Sequence, residues 1–159
     1  MNRLSPSSAL DAAARSLAID GLLAGTQVRT LDGTLPVEYL SPGDRIITRT
    51  GTARLISMSS VMRKGAEVVL ISASSPGYDR PEVDLFVGPD QRVMIRDWRA
   101  KVMFGTACAA IPARRMVDGE FVRFATLTEA WIFTLHFDAV EVIYAEGLEL
   151  ACERATIGA

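Results

Sequence analysis

Asp20-Gly21-Leu22-Leu23-Ala24-Gly25-Thr26-Gln27-Val28-Arg29-Thr30-Leu31-Asp32-Gly33, continued two residues later by Pro36-Val37-Glu38-Tyr39-Leu40-Ser41-Pro42-Gly43-Asp44, is the stretch whose reading decides the fold. Asp32-Gly33 and Pro42-Gly43 are turn pairs, and the short runs beside them carry Val, Thr and Leu at strand-like spacing. The same punctuation recurs at Thr50-Gly51, Pro76-Gly77 and Asp118-Gly119. Between these turns the sequence predicts strands at Arg45–Thr48, Ala53–Met58, Val68–Ser72, Val83–Val87 and Val93–Arg96. Further strands are expected at Val122–Ala125, Ala130–Phe137 and Val140–Tyr144, with one helical turn at Pro112–Val117. Many short strands with close turns argue a compact all-β domain.

The 159 residues are enough for one domain with a proper core. Apolar residues make up 49% and charged residues 23%, the balance of a globular protein. No run approaches the ~18 apolar residues that span a bilayer. Met1–Ala18 lacks the continuous apolar core of a secretion signal. The expectation is a cytoplasmic location by default, with non-classical export left open and no membrane partner. A net charge of −2 gives no general pull toward nucleic acid, and no nucleic-acid partner is expected. One local exception runs from Asp90 to Arg115, where six basic residues face two acidic ones, a balance of +4. It reads as solvated strand faces, or as a peptide- or protein-binding surface between Arg92 and Arg115.

Cys108 and Cys152 are the only cysteines and His136 the only histidine. Cys108, in the apolar run Ala107–Ile111, reads as a buried, inert thiol. With no Cys-x-x-Cys pair and one histidine, neither a metal site nor a cofactor is expected. At the N-terminus Ser7 or Ser8 can cap a short helix running through Leu17. Leu10, Ala13, Ala14 and Leu17 then share one face that can dock on the domain. A mobile tail is the competing view of this segment. Parity along Trp131–Asp138 puts Trp131, Phe133, Leu135 and Phe137 on a core face. Ile132, Thr134, His136 and Asp138 fall on the other. That second face reads either as half-exposed polar surface or as a hydroxyl, an imidazole and a carboxylate aligned for proton transfer.

From about Gly21 to Cys152 the chain resembles a Hint domain, the self-cleaving module shared by inteins and Hedgehog proteins, and within that family its bacterial branch. The opening stretch carries the resemblance together with Phe86–Ile95, Asp97–Gly105, Ile111–Gly119 and Glu141–Gly147, in order and at compatible spacing. The resemblance implies an all-β Hint-like fold over residues 20–152. An N-terminal extension with a short helix (residues 1–19) precedes it, and a tail (residues 153–159) follows.

Self-processing needs a thiol or hydroxyl that attacks the preceding carbonyl, an acid that protonates the departing amine, and donors for the oxyanion. The resemblance places Gly21 where the family commonly has its Cys nucleophile. It places Gln91 where a family segment has His, and an amide is no general acid near neutral pH. Thr134 and Val140 stand where relatives often carry further histidines. His136 is displaced by two positions from the first of these, Asp138 matches an acidic position, and Cys152 falls near a family Ser at the domain's exit. Thr26 is expected to support the turn after Gly25. The implied function is a Hint-like domain that has lost self-cleavage and splicing and acts as a binding or scaffold module for a protein or peptide partner. The alternative is a residual self-cleaving domain working through His136, Asp138 and Cys152.

Overall fold

Turns containing glycine or aspartate set the strand lengths in the computed structural model, which describes residues 20–75, 80–96, 100–102, 105, 108–152 and 154. The N-terminal extension with its expected helix, the Pro76-Gly77 turn and the tail apart from Arg154 lie outside the described residues. Among the described residues the strands are β1 (Leu22–Leu23), β2 (Gln27–Thr30), β3 (Gly33–Pro36), β4 (Arg45–Thr48), β5 (Gly51–Arg54) and β6 (Ser57–Ile71). They continue with β7 (Leu85–Val87), β8 (Arg92–Ile95), β9 (Ala109–Pro112), β10 (Val122–His136), β11 (Glu141–Ala145) and β12 (Leu148–Cys152). Short 3-10 turns follow β3 and β9, at Val37–Tyr39 and Ala113–Met116. The fold is all-β, and the second of these turns is the helical turn expected after Pro112.

Two sheets share the work. β1, β10, β6 and β7 close on one another through antiparallel pairs, with Leu22 opposite both Phe133 of β10 and Val87 of β7. The second sheet runs in the order β3-β2-β4-β11-β12-β8-β9, and β5 pairs with β4. Alternate residues of these strands point inward and make one apolar core that includes Val28, Ile46, Ile71, Leu85, Ile95, Phe137, Ile143 and Leu150. Each such side chain contributes about 1.5–3 kcal/mol by leaving water.

Several strand expectations need correction. Ala53–Met58 is not one strand: it breaks at Leu55 and Ile56, where Leu55 is fully buried and donates its N–H to the Asp44 carbonyl at 2.8 Å. Val68–Ser72 is the end of the fifteen-residue β6, and the two strands expected at Val122–Ala125 and Ala130–Phe137 are one fifteen-residue β10. These two pair in a single register from Val122↔Ile71 to His136↔Ser57. Midway, between the Ala66↔Leu127 and Lys64↔Glu129 pairs, Gly65 stands at φ +60, a left-handed conformation that glycine adopts without strain.

The parity of the buried positions changes across Gly65. Ala66, Val68, Ala125 and Leu127 on one side of it pack with Ala130, Ile132 and Leu23 on the other, forming a small second cluster. Ile132 is therefore buried, against the parity reading, and Trp131 is 53% exposed although it was expected in the core. Phe133, Leu135 and Phe137 do lie in the main core. Cys108 is half-buried rather than buried, with its sulfur 3.6 Å from Arg49 Nη2.

Candidate functional site

The chain enters the domain along β10. Gly21 stands at φ +130, where an L side chain is strained. A Cβ there would lie 2.5 Å from the carbonyl oxygen of Phe133 and 3.0 Å from both Ile132 Cγ2 and Thr134 Oγ1. The Gly21 carbonyl accepts the Gly88 N–H at 3.1 Å, which fixes the next peptide against the turn after β7. On its other side, Thr134 Oγ1 donates to the Asp20 carbonyl at 3.0 Å. The Asp20–Gly21 peptide is thus held by β10 and the peptide after it by the turn following β7, and position 21 presents no attacking atom.

His136 is the next residue on the Thr134 face of β10. Its cross-strand partner is Ser57, while Thr134 lies opposite Ser59. Ser57, Met58, Ser59 and His136 line a cavity of about 300 Å³. His136 Nδ1 is buried and has no hydrogen-bond partner. Asp138 therefore does not orient the imidazole through that nitrogen. β10 ends at His136, and Asp138 and Val140 stand in the exposed turn that follows, so the three-group row expected from parity is not assembled.

Gln91 lies in the turn after β7, three residues past Gly88. Its N–H donates to the Gly88 carbonyl at 3.0 Å, and its carbonyl accepts from Ala113 at 2.8 Å. The buried side chain donates through Nε2 to the carbonyls of Ala151, at 2.9 Å, and Arg92, at 3.1 Å. Gln91 clamps β12 to the turn that holds Gly21. Cys152, the next residue after Ala151, is buried in the core. Just beyond it, Arg154 makes an isolated parallel bridge with Phe137, the residue after β10. Thr26 is buried, and its backbone closes the turn after β1 by donating to Leu23 at 3.1 Å and accepting from Val37 at 2.8 Å.

Entrance and exit therefore meet the end of β10 three residues apart, at Thr134 and Phe137, with His136 between them. Ser57, Ser59 and Gly88 escaped the sequence reading. Only the register of β6 on β10 reveals the two serines; their alternation in Ser57-Met58-Ser59 was the available signal. Among the described residues no group of three or more His, Cys, Asp or Glu side chains is placed to hold a metal. None of the helices among them is long and apolar enough to cross a membrane.

These features define an all-β domain built around one junction, with the chain entering and leaving on the same strand. A Hint-domain family model matches residues 21–158, and the chain belongs to the Hint family. Solved structures agree on the fold. An AceL NrdHF class 3 split intein, a splice-inactive variant, superposes with a TM-score of 0.57 at 14% identity, over 86% of this chain and 99% of its own. The gp41-1 intein gives 0.57 at 13% identity, over 82% and 97%. A bacterial intein-like domain from Clostridium thermocellum gives 0.56 at 12% identity, over 86% and 100%. A search of curated protein sequences finds no match.

Proposed function

We propose that this chain is a Hint domain of the bacterial branch that no longer splices or cleaves itself by an acyl shift, and that it serves as a binding or scaffold module. One observation carries the reading. Position 21 has no thiol or hydroxyl, and the Phe133 carbonyl oxygen occupies the space a side chain would need. Gln91 supports it, because its amide is committed to two carbonyls and cannot donate a proton to a departing amine. The test is the intact mass of freshly made full-length protein, kept for days at several pH values with and without added thiol. An unchanged mass is the expected result. Thiol-dependent fragments would overturn the reading.

A second reading, residual self-cleavage, draws on the Thr134 hydroxyl. It donates to the Asp20 carbonyl, as an oxyanion donor does, beside the cavity that holds His136. On this reading fragments break at Asp20–Gly21 and disappear in Thr134→Val and His136→Ala. If the mass is stable, or if cleavage survives both substitutions, this reading is lost.

A further inference from the structure

The outer face of the larger sheet collects arginines from strands far apart in sequence. Arg45 of β4 and Arg54 of β5 are direct cross-strand partners, which puts their Cβ atoms about 5 Å apart. Two guanidinium groups in that position repel, and neither meets an acidic side chain among the described residues. The Ile143↔Thr48 pair and the Arg49 N–H to Val142 carbonyl bond at 2.9 Å carry the same face onto β11. Tyr144↔Glu149 carries it onto β12 and Ala151↔Arg92 onto β8.

Side-chain contacts agree with that placement. Glu149 accepts Arg49 Nη2 at 2.8 Å and also pairs with Arg96, so one carboxylate serves two guanidiniums. Arg29 is compensated separately, by Glu82 at 3.6 Å and by the Tyr144 ring at 5.3 Å. The charge without an acidic partner among the described residues therefore sits at the Arg45–Arg54 pair. The Asp44 carboxylate, next in sequence, accepts the Ser41 N–H at 2.8 Å instead of neutralising them.

A second property selects the shape of the partner. β5 pairs with β4 and with no other described strand, so it is a sheet edge with backbone groups to offer. A strand added there would place alternate side chains on the Arg54 face. We infer that the Arg45–Arg54 face and the β5 edge form a docking site for an extended acidic protein segment, with Asp or Glu at alternate positions. This rests on the reading of the chain as a binding module. Charge complementarity argues for an acidic occupant. The open edge favours a polypeptide over a nucleic acid, since an edge pairs with backbone amides, and Tyr144 on this face is already covered by Arg29.

The test is fluorescence anisotropy of full-length protein with a labelled peptide of alternating Glu and Val, and with the same peptide carrying Lys for Glu. Oligothymidine and phosphatidylserine vesicles form two further arms. Expected are saturable binding of the Glu peptide only, and a loss of about tenfold or more in Arg45→Glu/Arg54→Glu. The unfolding midpoint of that double variant should stay near the parent's, because both residues are exposed. The inference falls if the Glu peptide does not bind, if the double variant binds it unchanged, or if the Lys peptide binds equally. It also falls if oligothymidine or vesicles bind more tightly, or if size-exclusion chromatography shows a second copy of the chain on this face. Oligothymidine or vesicle binding lost in the double variant would sink the acidic segment yet keep a binding module. No binding in any arm, together with self-cleavage in the intact-mass experiment, would sink both.

Discussion

Replacing Gly21 by Ala sets a Cβ at φ +130 and 2.5 Å from the Phe133 carbonyl oxygen. Backbone strain and overpacking add, so a loss of about 2–4 kcal/mol is expected in urea unfolding. Gly21→Cys meets the same obstacle. It should be destabilised to a similar degree and yield no thiol-dependent fragments, which the intact-mass experiment checks. Gln91→Leu keeps the volume but removes both donors, leaving the Ala151 carbonyl without its partner. Its cost should be about 1–3 kcal/mol in the same unfolding measurement. The missing nucleophile was readable from the residue name alone. The crowding was not, because the atom that fills the space belongs to a strand more than a hundred positions further along the sequence. Gln91 was legible as a group that hydrogen-bonds but supplies no proton; which carbonyls it reaches depends on the pairing of β8 with β12.

At the scale of elements, the β6–β10 ribbon carries one left-handed residue midway, Gly65. A Cβ at Gly65 would meet nothing within 4 Å, so Gly65→Ala isolates the backbone cost of φ +60. That cost is about 1–2 kcal/mol, measurable as a lower urea midpoint. The composition around Gly65 also explains why the ribbon read as four shorter strands. Gly65 and the polar run Thr126-Leu127-Thr128-Glu129 carry turn-like composition, and the inward parity changes across them. Burial at Trp131 and Ile132 was misread because β10 is covered on both faces in turn: Ile132 packs in the second cluster, while Trp131, on the Phe133 face, lies outside the main core. The start of β10 offers a pH test. Burial disfavours the charged form of Asp118, but N–H bonds from Val122, Glu120 and Phe121 outweigh it and hold the carboxyl below its ordinary value. An unfolded Asp titrates near about 3.9, so this stabilisation is complete above that pH and is lost as pH falls through the lower folded value. Asp118→Asn should therefore destabilise the protein near neutral pH, and the gap to the parent should narrow steadily below about pH 4.

For the whole molecule, the decisive property is that the first and last described residues both meet the C-terminal end of β10. Asp20 is bonded through its carbonyl to Thr134, and Arg154 bridges Phe137. These points are three positions apart, a distance of about 10 Å in extended chain. A linker of about six residues reaches about 20 Å when extended and so spans the gap without strain. New ends can be opened at Asp32-Gly33, an exposed turn between β2 and β3 whose removal leaves their ladder from Gln27↔Pro36 to Arg29↔Thr34 in place. A circular permutant joining residue 154 to residue 20 and opened between Asp32 and Gly33 should fold with a midpoint within a few degrees of the parent. The core clusters and the clamp from Gln91 to Ala151 do not depend on chain order. Circular dichroism and thermal unfolding measure this directly. A permutant that is unfolded, or that melts far below the parent, would mean that the two ends are not neighbours on β10. The geometry of the junction between Asp20, His136 and Arg154 would then be wrong at its foundation.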